Sequence, residues 1–362
     1  MATKKKLLQA AAGNASSGYK YLLATSSNAS RGLLLYDISD PTSPTLKEHN
    51  QTYYTNTEGD YDYVHDRMHI MAGSTAYSFK FNTGSITDVS TGYSTTGYTL
   101  CILADGANQR FLAFDGSNLR LYPLDSDGKR TGTAVLDTEN QGFTTAAFWA
   151  DPTNEVFLYG CQAGNRIRQI SYANSALSND IDYTNSLTVS GADNNRGIWV
   201  DPTYGYVYSW SLDDRVLYSQ GPFPATTGVD TVSTFTFNTS TGYLAGSAYL
   251  AIYMAKDFSM LFGFDQSTNP DRIQYIPIDR ATGTFGTPGN FSVGDNHGGT
   301  YALMNADEER SLLFVGRTAP TDRINIYDYS DLSNISLVGT MDCQTDSGQT
   351  LYNITNIALA KE

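Results

Sequence analysis

Apolar and polar residues alternate with a period of two along most of this chain, in short runs bounded by Gly, Asp, Asn, Ser and Pro, a pattern of many short β-strands rather than helices. Gly299–Asp307 (GTYALMNAD) and Asn353–Glu362 (NITNIALAKE) share one form: a small or polar start, an apolar alternation, then an acidic or polar turn. Six copies of that form each lead into three further strand-like segments, whereas the copy at 353–362 stops. Tyr19–Asn50 begins without such a strand and supplies the three segments that should follow one. The predicted fold is therefore all-β, a seven-bladed β-propeller of four-stranded antiparallel blades, its ring closed by the C-terminal strand pairing with the N-terminal blade.

The turn after each innermost strand is marked by Asp66, Asp105, Asp151-Pro152, Asp201-Pro202, Asp257, Asp307 and finally Lys361-Glu362, since Asp caps its own backbone in a tight turn and Pro presets φ. A second strand follows each mark: Met68–Ala72, Phe111–Phe114, Val156–Gly160, Tyr206–Trp210, Met260–Phe264, Leu312–Gly316, and Lys20–Thr25 from the N-terminus. Third strands repeat most clearly, as in DRIQYIPID (Asp271–Asp279) and DRINIYDYS (Asp322–Ser330). Residues 1–18 stand outside the repeat and read as an attachment segment, with 19–362 as the propeller domain.

Composition narrows the function. Gly 32 and Tyr 26 favour turns and strands, and a formal net charge of −14 without a basic stripe argues against nucleic-acid binding. No apolar run approaches the roughly 20 residues of a membrane span. The three cysteines, Cys101, Cys161 and Cys343, are widely spaced and read as free buried thiols.

Two stretches resemble known propeller repeats. YDISDPTSPTL (Tyr36–Leu46) is similar to the LVIVD-type repeat, with YDYSDLSNISL (Tyr327–Leu337) as a degenerate copy. IPIDRATGTFG (Ile276–Gly286), FNTGSIT (Phe81–Thr87) and FNTSTGYL (Phe237–Leu244) look like the lactonase-type repeat, in which an Asp and a Thr-Gly turn join the third and fourth strands. Both resemblances imply the fold and say little of activity. KKLLQAAAG (Lys5–Gly13) resembles the leader of marine bacteriophage tail and fibre proteins, which implies a virion attachment segment. Lys4, Lys5 and Lys6 would then meet an acidic partner surface and Leu7 and Leu8 its apolar pockets.

The candidate ligand site is the mouth of the central channel at the strand starts. His297 in DNHGG, Asp295 beside it, and Arg196 in DNNRG fall there, with Tyr61, Tyr98, Tyr249 and Tyr301 near other strand starts, a polar aromatic set suited to a sugar or small anion. The competing structural reading is that these residues fill and hydrate the channel. His65 and His69 straddle a turn rather than pair on a helix face, so no metal is expected. Asp125-Ser126-Asp127-Gly128 starts like a calcium loop but lacks the downstream Glu and reads as a solvated turn. No GxSxG elbow or phosphate-cradling glycine loop occurs, and no cofactor is expected.

Taken together these readings favour a non-enzymatic propeller of a phage virion, made in the host cytoplasm and carried in several copies. Its partners would be other virion proteins through residues 1–18 and a host surface glycan or protein through the rim, with avidity supplied by the copies. The alternative is a propeller enzyme of lactonase or glycan-cleaving type acting in the channel mouth, and a third reading is a cellular surface-binding module.

Overall fold

The structure, a computed structural model, describes residues 18–26, 31–54, 59–72, 75–90, 93–94, 101–114, 119–137, 148–161, 166–173, 176–182, 195–211, 216–223, 230–236, 252–265, 272–292, 303–317, 322–349 and 354–362. Its strands form seven antiparallel sheets arranged as seven blades. The innermost strands are Ile354–Ala360 (blade 1), Asp60–Asp62 (blade 2), Cys101–Asp105 (blade 3), Phe148–Asp151 (blade 4), Asn195–Asp201 (blade 5), Ile252–Met254 (blade 6) and Leu303–Asp307 (blade 7). Each packs beside the next, and that of blade 7 meets that of blade 1, so the ring is closed.

Closure is made as the sequence pattern predicts. The C-terminal strand Ile354–Ala360 pairs antiparallel with Tyr21–Ser26, in a register running from Tyr21 opposite Ala360 to Thr25 opposite Asn356. Leu33–Asp37 and Thr45–Asn50 complete that blade. Lys20 extends the seam by donating its backbone N–H to the Ala360 carbonyl at 3.0 Å.

Period-two alternation sorts each strand's side chains into two layers between blades. Along Tyr21–Ser26, Leu22 and Ala24 join Leu312, Phe314, Ile324 and Ile326 of blade 7, together with Ile357 and Leu359 of the closing strand. Tyr21 and Leu23 face the other way, joining Met68, Ile70 and Phe79 of blade 2. Each fully buried Leu, Ile or Phe contributes about 1.5–3 kcal/mol, so every blade depends on both neighbours.

The turns repeat one device. Asp105, Asp151, Asp201 and Asp307 are buried at the ends of inner strands, and each carboxylate accepts backbone N–H groups of its own turn, as Asp151 does from Thr153 at 2.9 Å and Asp201 from Thr203 at 2.9 Å. In blade 2 this role falls to Asp62 rather than the expected Asp66: Asp62 is 2% exposed and accepts from Val64 at 2.9 Å. Asp66 instead closes the turn in the left-handed region (φ 52°), as do Gln109, Glu155, Phe258 and Ser311 in other blades. The paired motifs YDISDP and YDYSDL also fold alike. Asp37 accepts from the backbone N–H of Ser39 and Asp328 from that of Ser330, and Asp40 and Asp331 accept from the Thr42 and Ser333 N–H groups. The fourth strand of blade 6 departs from the plan. It is split into Thr284–Phe285 and Gly289–Ser292, both pairing with Arg272–Asp279.

Candidate functional site

Side chains of the innermost strands link neighbouring blades around the channel. Asn305 of blade 7 donates to the Ile357 carbonyl of blade 1 at 2.8 Å, and Asn356 of blade 1 donates to the Gly59 carbonyl of blade 2 at 2.8 Å. Asp60 of blade 2 accepts the Ala104 N–H of blade 3 at 2.6 Å. These groups satisfy backbone atoms that would otherwise face the channel without partners. None was singled out in the sequence, although their place one step out of phase with core residues such as Ala306 and Ile357 is a usable signal.

Of the residues assigned to the channel mouth, Tyr98, Tyr249, Asp295, His297 and Tyr301 lie outside the described residues, as do Lys4, Lys5, Lys6, Leu7 and Leu8 of the attachment segment. Tyr61 is placed elsewhere than expected. It is 6% exposed in the layer between blades 1 and 2, its ring 5.2 Å from Phe81 and 4.9 Å from Tyr63. Burial first, and then the nearby Asp66 carboxylate, push its hydroxyl well above the usual tyrosine range. A tyrosine so enclosed serves packing rather than ligand contact.

Arg196 occupies a distinctive backbone position. In the innermost strand of blade 5, Asn195 pairs with Ser211 and Gly197 with Trp210, so Arg196 is the extra residue of a β-bulge at the strand start. The closing strand has a counterpart, since Thr25 pairs with Asn356 and Ser26 with Ile354, leaving Thr355 as the extra residue. The Thr355 hydroxyl lies 3.0 Å from that of Thr25. Bulges re-aim a side chain or end a ladder, and both of these sit at the strand-start end of the channel.

The two histidines of HDRMH part company. His65 Nδ1 lies 2.6 Å from the Asp62 carboxylate in the turn, whereas His69 is buried with its ring 5.1 Å from Phe111. Among the described residues no group of three or more His, Cys, Asp or Glu is placed to hold a metal ion. Asp125–Gly128 folds as a tight turn in which the Asp125 carboxylate accepts from the Asp127 and Lys129 N–H groups, both at 2.9 Å, and Gly128 takes φ 74°.

No family model matches this chain, and no curated protein matches it. Solved structures do share its fold. A protein of Bacteroides uniformis provisionally named a 6-phosphogluconolactonase aligns with a TM-score of 0.72 and 13% identity, over 95% of this chain and all of that one. A Bacteroides fragilis protein with the same provisional name gives a TM-score of 0.70 and 12% identity, over 96% of this chain and 99% of that one. The periplasmic gluconolactonase of Pseudomonas aeruginosa gives a TM-score of 0.72 and 9% identity, over 94% and 99% of the respective chains. At such identities the likeness is one of fold. It nonetheless corrects the virion placement expected from Lys5–Gly13: these similar folds are bacterial proteins with lactonase names, one of them periplasmic, and nothing in the comparisons supports a phage leader or an LVIVD-type repeat.

Proposed function

We propose that this chain is a hydrolase of the lactonase type that opens a sugar lactone at the strand-start mouth of the channel. The observation that carries the reading is the bulge at Arg196, which sets a guanidinium-bearing residue out of ladder register where an inner strand opens to the mouth. The lactonase-like Thr-Gly turns and the lactonase names of similarly folded proteins support it.

The chemistry asks for few groups. Water adds to the lactone carbonyl carbon, the bond from that carbon to the ring oxygen breaks, and the ring oxygen takes up a proton to give the open hydroxy acid. Arg196 suits the carbonyl oxygen as negative charge develops there. His297 suits the proton transfer, taking a proton from water and returning one to the ring oxygen. Tyr98, Tyr249 and Tyr301 offer faces on which a sugar ring stacks.

The test is acid release from δ-gluconolactone and its 6-phosphate, followed by pH-stat against the spontaneous rate. Hydrolysis above background is expected with one of them. It should fall about 10²–10³-fold in Arg196→Gln and about 10²–10⁴-fold in His297→Ala. A wild-type rate equal to background on both substrates would refute the reading.

A further inference from the structure

The opposite end of the channel, where the inner-strand turns lie, carries a second arrangement. The turn of blade 6, residues 255–259, makes contacts in two directions. Phe258 sets its ring 6.0 Å from Trp149 on the innermost strand of blade 4 and 6.4 Å from Tyr208 of blade 5. Lys256 places its ammonium 4.5 Å from the ring centre of Tyr19 and 4.8 Å from that of Tyr63, which belongs to the turn of blade 2. Blades 6 and 2 are separated by blades 7 and 1 on one side and by three blades on the other, so this contact spans the channel.

Each component is held from its own side. Glu308 of blade 7 accepts the Lys256 N–H at 2.5 Å and the Tyr253 hydroxyl at 2.8 Å. Tyr19 hydrogen-bonds Lys256 through its hydroxyl, while its backbone N–H donates to Asp307 at 2.7 Å and its carbonyl accepts from Arg310 at 2.6 Å. Gly18 donates to Glu309 at 2.9 Å. Burial works against the charge on Lys256, but Tyr63, Tyr19 and Glu308 outweigh it and hold its pKa above the usual lysine value. Phe258 adopts a left-handed backbone (φ 59°), a conformation that bulky residues avoid and that persists only where its surroundings fix it.

We infer that the blade 6 turn, with Tyr19 and Tyr63, is a plug across the turn end of the channel. The inference does not depend on which reaction, if any, occurs at the mouth.

Amine footprinting with an acetylating ester, read by mass spectrometry on the full-length protein, tests it without an activity assay. Lys256 is expected to react about tenfold more slowly than the exposed Lys47 in the wild type, because a lysine hydrogen-bonded and faced by two rings must open before it reacts. Tyr19→Ala should remove most of that difference, and Tyr204→Ala, an exposed tyrosine on the blade 5 turn, should leave it. Tyr63→Ala gives the same readout from a half-exposed side chain should Tyr19→Ala not fold. In Phe258→Ala, Trp149 should become open to acrylamide quenching, scored as the difference from a Trp149→Phe background. Wild-type Lys256 reacting as fast as Lys47, or protection unchanged in both tyrosine variants, overturns the plug.

Discussion

Acid should destabilise this propeller through one buried imidazole. His69 is 2% exposed, pressed against Phe111, and burial pulls its pKa down to about 4. Arg67, His65 and Arg130 reinforce the shift and Asp62 opposes it. In the unfolded chain the same group titrates near its ordinary value of about 6.5. Between those values the unfolded state holds a proton that the folded state does not, so acidification favours unfolding. The contribution is complete above about pH 6.5, falls by about 1.36 kcal/mol per unit, and is exhausted by about pH 4, a total of about 3 kcal/mol. Urea unfolding of the wild type and His69→Leu at about pH 7.5 and about pH 4 measures it, since the carboxylates common to both proteins cancel in the difference. The wild type should lose about 3 kcal/mol more than the variant over that range. Parallel pH profiles would show that His69 is protonated in the folded state, and the reasoning from its burial would fail.

Removing the closing strand, residues 354–362, should abolish cooperative thermal unfolding, whereas removing residues 1–17 should leave the transition nearly in place; an unchanged melting temperature after the first truncation refutes the closure argument. Within that strand, Leu359→Ala, at a fully buried position between blades 7 and 1, should cost about 2–5 kcal/mol in chemical denaturation. Arg280 of blade 6 grips the buried Asp201 of blade 5 through two bonds of 2.7 and 2.9 Å. Arg280→Ala should therefore cost about 1.5–3 kcal/mol, and a double-mutant cycle with Asp201→Asn should recover part of it; additive losses would show the pair uncoupled.

The fold was legible because the repeat is written in local chemistry. NITNIALAKE alternates where its partner YLLATS alternates, and the two pair residue for residue through Thr25 and Asn356. Turn residues marked the blades in order, but YDYVHDRM holds two candidate aspartates, and only burial separates Asp62, which caps the turn, from Asp66, which ends it. Strand parity would have corrected Tyr61. Its neighbour Asp60 bonds to the next inner strand, so Tyr61 must face the layer between blades. No spacing rule could have joined Lys256 to Tyr63, or Phe258 to Trp149, because those contacts exist only once the ring has closed.

The same geometry argues where chemistry can occur on such a ring. Asn305, Asn356 and Asp60 are spent on neighbouring backbones, and Lys256, Tyr19 and Tyr63 on one another. A substrate bound at the level of these groups would have to displace bonds that hold adjacent blades together. At Arg196 and Thr355, by contrast, the ladder is already broken by a bulge, so a side chain there can change without unpairing a blade. If the chain is the lactonase proposed above, substrate choice falls to positions such as these rather than to the bonds that hold the ring together.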